Sequence, residues 1–383
     1  MRPEHSNHHT EEHHMKRDQA QTWRGGKQWA LGVTLGALSL SGFVGIAASE
    51  QVGPTKVDAG IAPYAAASKV SGNMVIAGSD TMQPLMLKLA AAFRFLHPDA
   101  KIGILGGGTE RALMQFVSDQ SQIRRGDGFY NGPQASGHVT MLASSRRLTD
   151  EEIKQFRDRH GYDPIEIAIA MDAVAVYVNR ENPLQGLTLE QVDVIFGTAH
   201  KRGLPDDIAT WGQLGLEGWG QQPIHLYGRD RQSGTRTFFK HAALLEGDLK
   251  GTVREEAGSA TEILAISRDP LAIGYAGIEF QTSMVRAVPL AEKAGMPFIA
   301  PSAVAVGNGT YPLGRPLYLY VRKDSKEGLA PVILEFLKFV NSRDGQVAAA
   351  KAGSYPLPAT QVAKNLQALT ESGMSVSADP AAH

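Results

Sequence analysis

Three stretches of the sequence place hydroxyl groups and glycines where a strand is expected to pass into a helix. They read AGSDTMQPL over 77–85, GGGTERAL over 106–113 and RDRQSGTRTFF over 229–239. Free backbone N–H groups and the helix dipole attract anions at such a point, and hydroxyl side chains add donors. The same residue types are also preferred helix caps, so capping explains each turn by itself. Three such turns in one chain favour an anion-binding site.

The third stretch adds a guanidinium group, because Arg229 stands four residues before Ser233-Gly234-Thr235. Capping does not account for that arginine, whereas an anion site would use its charge and paired N–H donors. A nucleophilic Ser233 is the alternative, but R-Q-S-G-T departs from the G-x-S-x-G elbow of α/β-hydrolases. The histidines beyond the N-terminal segment include no obvious partner for it. Ser233 is therefore interpreted as a hydrogen-bond donor.

Predicted strands and helices alternate along the chain that carries these turns. Strands are predicted over 73–79, 100–108, 164–179, 223–229, 272–277 and 315–323, and helices over 81–96, 109–118, 149–161, 187–197, 233–245, 259–270, 328–341 and 344–351. This alternation predicts an α/β fold with parallel sheets covered on both faces. Asp172 interrupts the apolar run 164–179. We interpret it as a strand-end residue near the mouth of a cleft, in preference to a buried, paired carboxylate.

The composition excludes several classes of function. The chain has 383 residues and a net charge of −1, so no overall basic field favours nucleic acid as a partner. It has no cysteine, which excludes disulfides, thiolate metal sites and a cysteine nucleophile. No metal-binding spacing such as H-E-x-x-H occurs outside the His-rich N-terminal segment, and no cofactor is expected. The electrostatics of the function must therefore be local.

The N-terminal residues are expected to lie outside the folded lobes. Residues 1–28 are predicted to be a disordered tail rich in histidine and basic residues, with a metal-binding tract as the alternative. Residues 29–48 are uncharged and mostly apolar after a basic flank, which predicts a cleaved export signal or a membrane anchor, with Met15 as an alternative start. Either places the body of the protein across the cytoplasmic membrane. Residues 49–71 read as a linker, and 119–138 as a long polar loop that is functional or disordered.

With these turns in place, the chain resembles the periplasmic phosphate-binding proteins of ABC importers over roughly residues 72–355. The resemblance is carried by GSDTMQPLM, DAVAVYVNRENPLQGLTLEQVDVIFG, TWGQLGL, PIHLYGRDRQSGTRTFF and IGYAG. It implies a two-lobed, type II-like periplasmic binding protein fold, in which each lobe is a mostly parallel sheet flanked by helices and the ligand lies in the cleft between the lobes. Lobe 1 would take residues 72–175 plus 303–365, lobe 2 residues 176–302, and residues 366–383 would form a C-terminal tail.

The resemblance also implies a set of phosphate-binding residues. They are Ser79, Asp80, Thr81, Gly108, Thr109, Ser145, Arg229, Ser233, Gly234 and Thr235. Two positions depart from the family pattern. Glu110 adds an acid to the second turn, which would repel a dianion unless its side chain points away. Ser145 stands where many members carry the aspartate expected to accept the proton of hydrogen phosphate, and Asp80 is our candidate for that role.

The resulting expectation is an exported, non-enzymatic, monomeric receptor in the periplasm. It would capture inorganic phosphate and deliver it to the transmembrane subunits of an ABC permease, and it would touch the membrane only through an N-terminal anchor. Another tetrahedral oxyanion, such as sulfate or molybdate, is the alternative ligand. A phosphoester hydrolase that uses the same pocket is the rival class of function. A surface-anchored phosphate sensor or adhesion protein is a third interpretation.

Overall fold

The computed structural model describes residues 56–66, 68–118, 137–323 and 328–371. The predicted tail at 1–28, the apolar segment 29–48, the first part of the linker and most of the loop 119–138 lie outside these residues. Among the helices in the described ranges, none is both long enough and apolar enough to cross a membrane.

Strands and helices alternate along the described chain as the sequence predicts. The strands are β1 Gly72–Gly78, β2 Ala100–Leu105, β3 Met141–Ser144, β4 Ile165–Asn179, β5 Leu187–Thr188, β6 His225–Arg229, β7 Arg254–Glu256, β8 Ala272–Gly277, β9 Val285–Val288, β10 Leu290–Ala291 and β11 Gly314–Val321. The α-helices are α1 Gln83–Leu96, α2 Thr109–Ser118, α3 Asp150–His160, α4 Leu189–Phe196, α5 Gly234–Leu244, α6 Ser259–Arg268, α7 Ala303–Gly307, α8 Pro331–Val340, α9 Arg343–Lys351 and α10 Ala359–Glu371. Short 3₁₀ turns span Trp211–Leu214, Glu217–Trp219 and Ile278–Phe280.

A single large sheet runs through both lobes in the order β2-β1-β3-β11-β4-β8-β6-β7, with β9 also paired to β4. Strands β1, β2 and β3 are mutually parallel, and so are β6, β7 and β8. The antiparallel strands β11 and β4 join these two sets. Residues 165–173 of β4 pair with β11 and residues 174–178 pair with β8, so β4 passes from lobe 1 into lobe 2. The protein therefore has the two-lobed α/β fold that the sequence predicts.

Each lobe has its own hydrophobic core. In lobe 1, the spacing of Leu85, Leu89 and Phe93 puts the three side chains on one face of α1, where they are buried against the sheet. Helices α8 and α9 contribute to the same core. In lobe 2, Phe239 of α5 stacks on Tyr275 of β8 with 3.9 Å between the ring centroids. The two cores are separate clusters, and the chain passes between them through β4 and β11.

The division between the lobes differs from the expected one at the second crossing. Helix α7 begins at the expected return to lobe 1, yet its Ala305 and Val306 are buried in the core of lobe 2. The chain re-enters lobe 1 only at β11, so residues 174–313 form one continuous insertion. At the other end, Leu369 of α10 is 1% exposed within the core of lobe 1. The first part of the segment 366–383 thus belongs to lobe 1 instead of the expected tail.

Residues 56–66, expected to be part of a linker, pack on lobe 1 and are called the strap below. Ile61 is 2% exposed and packs beside α10. The hydroxyl of Tyr64 donates to Glu335 at 2.6 Å and lies 2.7 Å from Nε2 of the buried His97. These contacts join residues that are far apart in sequence, and they fix the start of the described chain to lobe 1.

Asp172 is a buried, paired carboxylate, so the preferred interpretation of a residue at the mouth of a cleft is wrong. It lies on β4 opposite Arg315 on β11, and 2.7 Å separate Nη2 of Arg315 from Oδ2 of Asp172. The two side chains are 0% and 2% exposed. Burial raises the pKa of the neighbouring Glu279 carboxyl, and the charge of Asp172 raises it further, which favours the neutral form of Glu279. The strand crossing therefore holds one buried pair of opposite charges.

Candidate anion-binding site

The starts of four helices meet where the two lobes touch. Oγ1 of Thr81, two residues before α1, lies 2.9 Å from Oγ1 of Thr235 in the first turn of α5. The same Thr81 atom lies 3.4 Å from Oγ of Ser259, the first residue of α6. A Cβ atom placed on Gly234, the first residue of α5, would lie 2.5 Å from Oγ1 of Thr109, which begins α2. The three predicted turns are therefore neighbours, and the start of α6 joins them.

Arg229, the last residue of β6, is a buried cation at this meeting point and is 1% exposed. Its Nη1 donates to Oγ of Ser259 at 2.7 Å, and its Nη2 donates to Oδ2 of Asp80 at 3.2 Å. The chain then turns, and the hydroxyl oxygen of Ser233 caps α5. Arg229 thus lies at the end of a strand, and the Ser-Gly-Thr sequence four residues later lies at the start of the next helix. The same turn therefore caps α5 through Ser233 and places the charge of Arg229 beside the helix start.

Asp80 connects the first two turns to the arginine. Its Oδ1 accepts a hydrogen bond from the backbone N–H of Gly107 at 2.9 Å, and its Oδ2 accepts from Arg229. The side chain keeps 15% exposure. Each carboxylate oxygen has lone pairs left after one such bond, so Asp80 can accept a further hydrogen bond. Asp80 is thus a hydrogen-bond acceptor placed among donors.

A second group of hydroxyls lies on lobe 1. Ser79 Oγ donates to Ser145 Oγ at 2.9 Å, and Ser145 Oγ lies 3.5 Å from Oγ1 of Thr109. All three residues are buried. The two contacts use two of the three hydroxyl protons, which leaves one proton for another acceptor. Ser145 therefore takes part in a hydroxyl group network in which its oxygen already accepts from Ser79, and as a neutral hydroxyl it is a weaker acceptor than an aspartate would be at its position.

Glu110 points away from the meeting point of the helices. Its carboxylate accepts from Nε of Arg146 at 2.9 Å and from Nη2 at 2.5 Å. The hydroxyl of Thr237 donates to the same carboxylate at 2.9 Å. The carboxylate that could repel an anion is thus paired with a buried arginine, whose side chain is 7% exposed and which also pairs with Glu152. The departure at Glu110 does not conflict with an anion site.

The lobes approach each other most closely at Gly108, which has a φ of +94°. A Cβ atom there would lie 2.1 Å from the backbone oxygen of Gln232 in lobe 2. The same oxygen accepts a hydrogen bond from the backbone N–H of Glu110 at 3.2 Å. Glycine is therefore required at this position for two reasons: the positive φ and the close contact between the lobes.

We expect Gly108→Ala to weaken the affinity for phosphate, the expected ligand. Its Cβ meets backbone, so the lobes must move apart, and overpacking of roughly 1–3 kcal/mol corresponds to about five-fold to 150-fold in affinity. Gly107→Ala is the matched control, because Gly107 has a φ of +102° but its nearest contact is an Arg111 side-chain atom at 3.6 Å. Calorimetric titration of both variants checks this. Equal losses would show that backbone strain, and not the contact between lobes, is responsible.

Two residues that touch this group were not found from the sequence. Ser259 follows a glycine at the start of a predicted helix, the same signal that marked the other turns. Arg315 donates from Nη2 to Oγ1 of Thr235 at 3.0 Å. No local signal marks Arg315, because its position depends on the pairing of β11 with β4.

Glu262 of α6 is a buried titratable group below the arginine. It is 0% exposed, and its Oε1 accepts from the backbone N–H of Tyr275 at 2.8 Å. Burial raises the pKa of Glu262 to about 8, against the opposing effect of the positive charge of Arg229. Glu262 therefore tends to be neutral near pH 7, so it leaves the charge of Arg229 uncompensated from that side.

A pH dependence of stability follows from Glu262. Because its pKa is raised from 4.5 to about 8 on folding, the folded state binds the extra proton between these values. This contribution to the free energy of unfolding is complete below pH 4.5 and falls as the pH rises towards 8, by up to about 1.4 kcal/mol per pH unit. Urea unfolding at several pH values should show a flatter profile for Glu262→Gln than for the wild type. The exposed Glu151→Gln is the control, and equal slopes for wild type and Glu262→Gln would exclude Glu262 as the titrating group.

The arrangement is suited to holding an anion by donors. In the described part of the chain, no histidine is hydrogen-bonded to Ser233, whose oxygen instead accepts from the backbone N–H of Arg236 at 3.3 Å. The described residues also contain no group of three or more His, Cys, Asp or Glu side chains placed to hold a metal ion. What the site presents is a buried guanidinium, hydroxyl donors from both lobes and one carboxylate acceptor.

Comparisons with known proteins agree with this geometry. The PBP superfamily domain matches residues 63–344. The phosphate-binding protein PstS of Pseudomonas aeruginosa is 37% identical over 314 residues, which cover 82% of this chain and 92% of that protein. The phosphate-binding protein PstS of a Staphylococcus epidermidis strain is 27% identical over 279 residues, which cover 71% of this chain and 75% of that protein.

The solved structures support the same fold. An ABC-type phosphate transport receptor from Vibrio cholerae superposes with a TM-score of 0.53 at 21% identity, over 74% of this chain and 99% of that one. At this level of identity the likeness concerns the fold alone.

Proposed function

Because the chain belongs to the periplasmic phosphate-binding protein family, we propose that it captures inorganic phosphate between its lobes and passes it to an ABC permease. The observation that carries this proposal is Arg229, a buried guanidinium that contacts the start of α6 on its own lobe and Asp80 on the other. A tetrahedral anion at this point would receive charge, hydroxyl protons and helix-end N–H groups from both lobes. Binding would thus favour the closed arrangement of the lobes.

The proposed binding residues are those implied by the family motif, and their roles follow from their contacts. Arg229 supplies charge, and Thr81, Thr109, Ser233 and Thr235 supply hydroxyl groups. The remaining members of the set contribute in other ways: Gly108 and Gly234 allow the lobes to approach, Ser79 and Ser145 extend the hydroxyl network, and Asp80 accepts.

The proposed role of Asp80 is to select phosphate over sulfate. A carboxylate can accept the proton of hydrogen phosphate, whereas fully ionised sulfate brings no proton and would meet the carboxylate as a like charge. Ser145 is less suited to this role, because its oxygen already accepts from Ser79 and its neutral hydroxyl carries no charge to discriminate against sulfate. Selectivity for phosphate would then come from Asp80 in the first turn, and most of the affinity for the anion from Arg229 and the third turn.

The test of the function is calorimetric titration of the full chain in mild detergent. The protein is first unfolded and refolded to remove any bound anion, and is then titrated with phosphate, arsenate, sulfate and molybdate at two pH values. Tight binding of phosphate with weak binding of sulfate is expected. The absence of heat with phosphate would exclude the proposed function, and tighter binding of sulfate or molybdate would reassign the ligand.

Asp80→Asn tests the source of selectivity in the same assay. The ratio of phosphate to sulfate affinity is expected to fall by about five-fold to 150-fold, because an unmatched buried polar group costs roughly 1–3 kcal/mol. Asp230→Asn is the control, because its side chain lies in the turn before Ser233 and accepts from the backbone N–H of Gln232. An unchanged ratio in Asp80→Asn would refute the role of Asp80.

The proposal includes the cellular setting. The protein would act without catalysing a reaction, as a monomer in the periplasm, with the transmembrane subunits of the permease as its partner. The relatives that support this are named as phosphate-binding proteins and a phosphate transport receptor. The segment 29–48 would serve as export signal or anchor.

A further inference from the structure

A chain of three buried hydroxyls crosses from one lobe to the other. It runs from Thr235 to Thr81 with 2.9 Å between the oxygens, and from Thr81 to Ser259 with 3.4 Å. The three residues are 0%, 1% and 1% exposed. Thr81 belongs to lobe 1 and lies between two residues of lobe 2, so the chain exists only while the lobes are together.

A guanidinium group donates to each end of this chain. Nη1 of Arg229 donates to Oγ of Ser259 at 2.7 Å, and Nη2 of Arg315 donates to Oγ1 of Thr235 at 3.0 Å. Guanidinium groups have N–H donors and no acceptor. The direction of both end contacts is therefore fixed, and neither terminal hydroxyl can spend its own proton on its arginine.

The three hydroxyl groups carry more protons than the oxygen–oxygen contacts between them can accept. Three hydroxyls carry three protons, and the two oxygen–oxygen contacts use one each. In the described part of the chain, these hydroxyls donate to no other protein acceptor within hydrogen-bond distance. Buried donors are normally satisfied. At least one O–H group is therefore available to an acceptor that is not part of the protein.

Of the three hydroxyls, that of Ser259 makes the longest, and therefore weakest, contact with its hydroxyl neighbour. Its contact with Thr81 is the long one at 3.4 Å, whereas the contact between Thr81 and Thr235 is 2.9 Å. Its oxygen lies 2.7 Å from Nη1 of Arg229, so an anion bound to that guanidinium lies next to the Ser259 proton. Ser259 also begins α6, where free backbone N–H groups face the same place.

We infer that Ser259 is an anion-contacting residue of this site, and that Arg315 is a positioning residue that directs the hydroxyl of Thr235. This inference rests on the proposed function, because the anion is phosphate. Ser259 donates its hydroxyl proton to a phosphate oxygen beside Arg229. Arg315 occupies a lone pair of Thr235 Oγ1 and so turns the Thr235 proton away from β11. Because both arginines only donate, the three hydroxyls between them face the anion as donors. The proton of hydrogen phosphate then finds its acceptor at Asp80.

The first test replaces the hydroxyl. Phosphate affinity of the refolded full chain is measured by calorimetry for the wild type, Ser259→Ala and Ser342→Ala. Ser342 is the matched control, because it is a buried serine that caps α9 in lobe 1, remote from Arg229. Ser259→Ala should lose about ten-fold or more, the usual worth of a hydrogen bond to a charged group, while Ser342→Ala stays within about two-fold.

The second test asks whether Arg315 acts through Thr235. Arg315→Lys keeps a positive charge for Asp172 but lacks the planar fork that reaches two partners. It should lower phosphate affinity by about three- to ten-fold in the wild type, and should have no further effect in a Thr235→Val background. A general loss of structure would lower affinity in both backgrounds, so the double-mutant comparison separates positioning from stability.

The outcomes distinguish this inference from the proposed function. If the wild type does not bind phosphate, the proposed function fails and the inference with it. If the wild type binds and Ser259→Ala binds equally well, the assignment of Ser259 is wrong while the function stands. If the effects of Arg315→Lys and Thr235→Val simply add, Arg315 does not act by positioning Thr235.

Discussion

Replacing Arg229 with methionine is expected to lower phosphate affinity by about thirty-fold to several thousand-fold. Removing one partner of a buried, hydrogen-bonded charge pair costs roughly 2–5 kcal/mol, and each 1.4 kcal/mol is a factor of ten. The loss has two parts. The anion loses a charged donor, and Asp80 is left as an unpaired carboxylate next to it. Calorimetric titration of the refolded protein measures the effect.

Arg231→Met is the matched control for this variant. Arg231 lies two residues further along the same turn and is exposed, so its charge is screened by solvent. We expect its phosphate affinity to stay close to that of the wild type. The double variant Arg229→Met with Asp80→Asn should bind phosphate better than Arg229→Met alone, because it removes the repelling charge. If Arg229→Met retained an affinity within ten-fold of the wild type, Arg229 would not be the main source of binding energy.

The second large effect concerns stability and the strand crossing. Asp172→Ala should lower the free energy of unfolding by about 3–5 kcal/mol, because it leaves a buried arginine without its counter-ion. Arg315 is 2% exposed; its Nε donates to Oδ2 of Asp172, and its Nη2 lies 2.7 Å from the same oxygen. Burial raises the pKa of the nearby Glu279 and opposes its ionisation, and Asp172→Ala leaves that burial in place, so Glu279 is a poor replacement for the missing charge. Urea unfolding followed by circular dichroism measures the change.

The control for Asp172 is an ion pair of the same type at the surface. Asp158 pairs with Lys154 at 2.9 Å, with the two side chains 60% and 57% exposed. Such pairs contribute about 0–1 kcal/mol, so Asp158→Ala should change the unfolding midpoint little. Replacing both Asp172 and Arg315 with leucine and methionine should recover much of the lost stability, because no buried charge remains. A small effect of Asp172→Ala would mean that water reaches the crossing.

The sequence predicts what depends on neighbouring residues. The apolar run of β4, the helix α3 and the glycine-rich turn at Gly108 are all local signals, and each appears at its predicted place. The long helices and strands follow for the same reason. The family resemblance adds the order of the lobes, which no local pattern contains.

The sequence does not predict what depends on distant partners. The buried position of Asp172 is not predictable from the sequence, because its partner Arg315 lies 143 residues further along the chain. A single acid in an apolar run does not reveal that partner. The strap was read as linker because its composition is poor in large apolar residues, while its anchors Glu335 and His97 belong to other elements. The four-residue strand β3 is too short to show a period. Ser259, by contrast, carried a usable signal.

The insertion of lobe 2 into lobe 1 has a mechanical consequence. Both ends of the described chain, the strap and α10, are fastened to lobe 1, while residues 174–313, which form lobe 2, are joined to lobe 1 through the crossings at β4 and β11. A tether that holds the protein by the strap or by α10 therefore immobilises lobe 1 and leaves lobe 2 as the part that moves. A fluorophore attached to the strap or to α10 would report on the stationary lobe. A sensor of closure would need its second label on lobe 2, for example on the exposed face of α5.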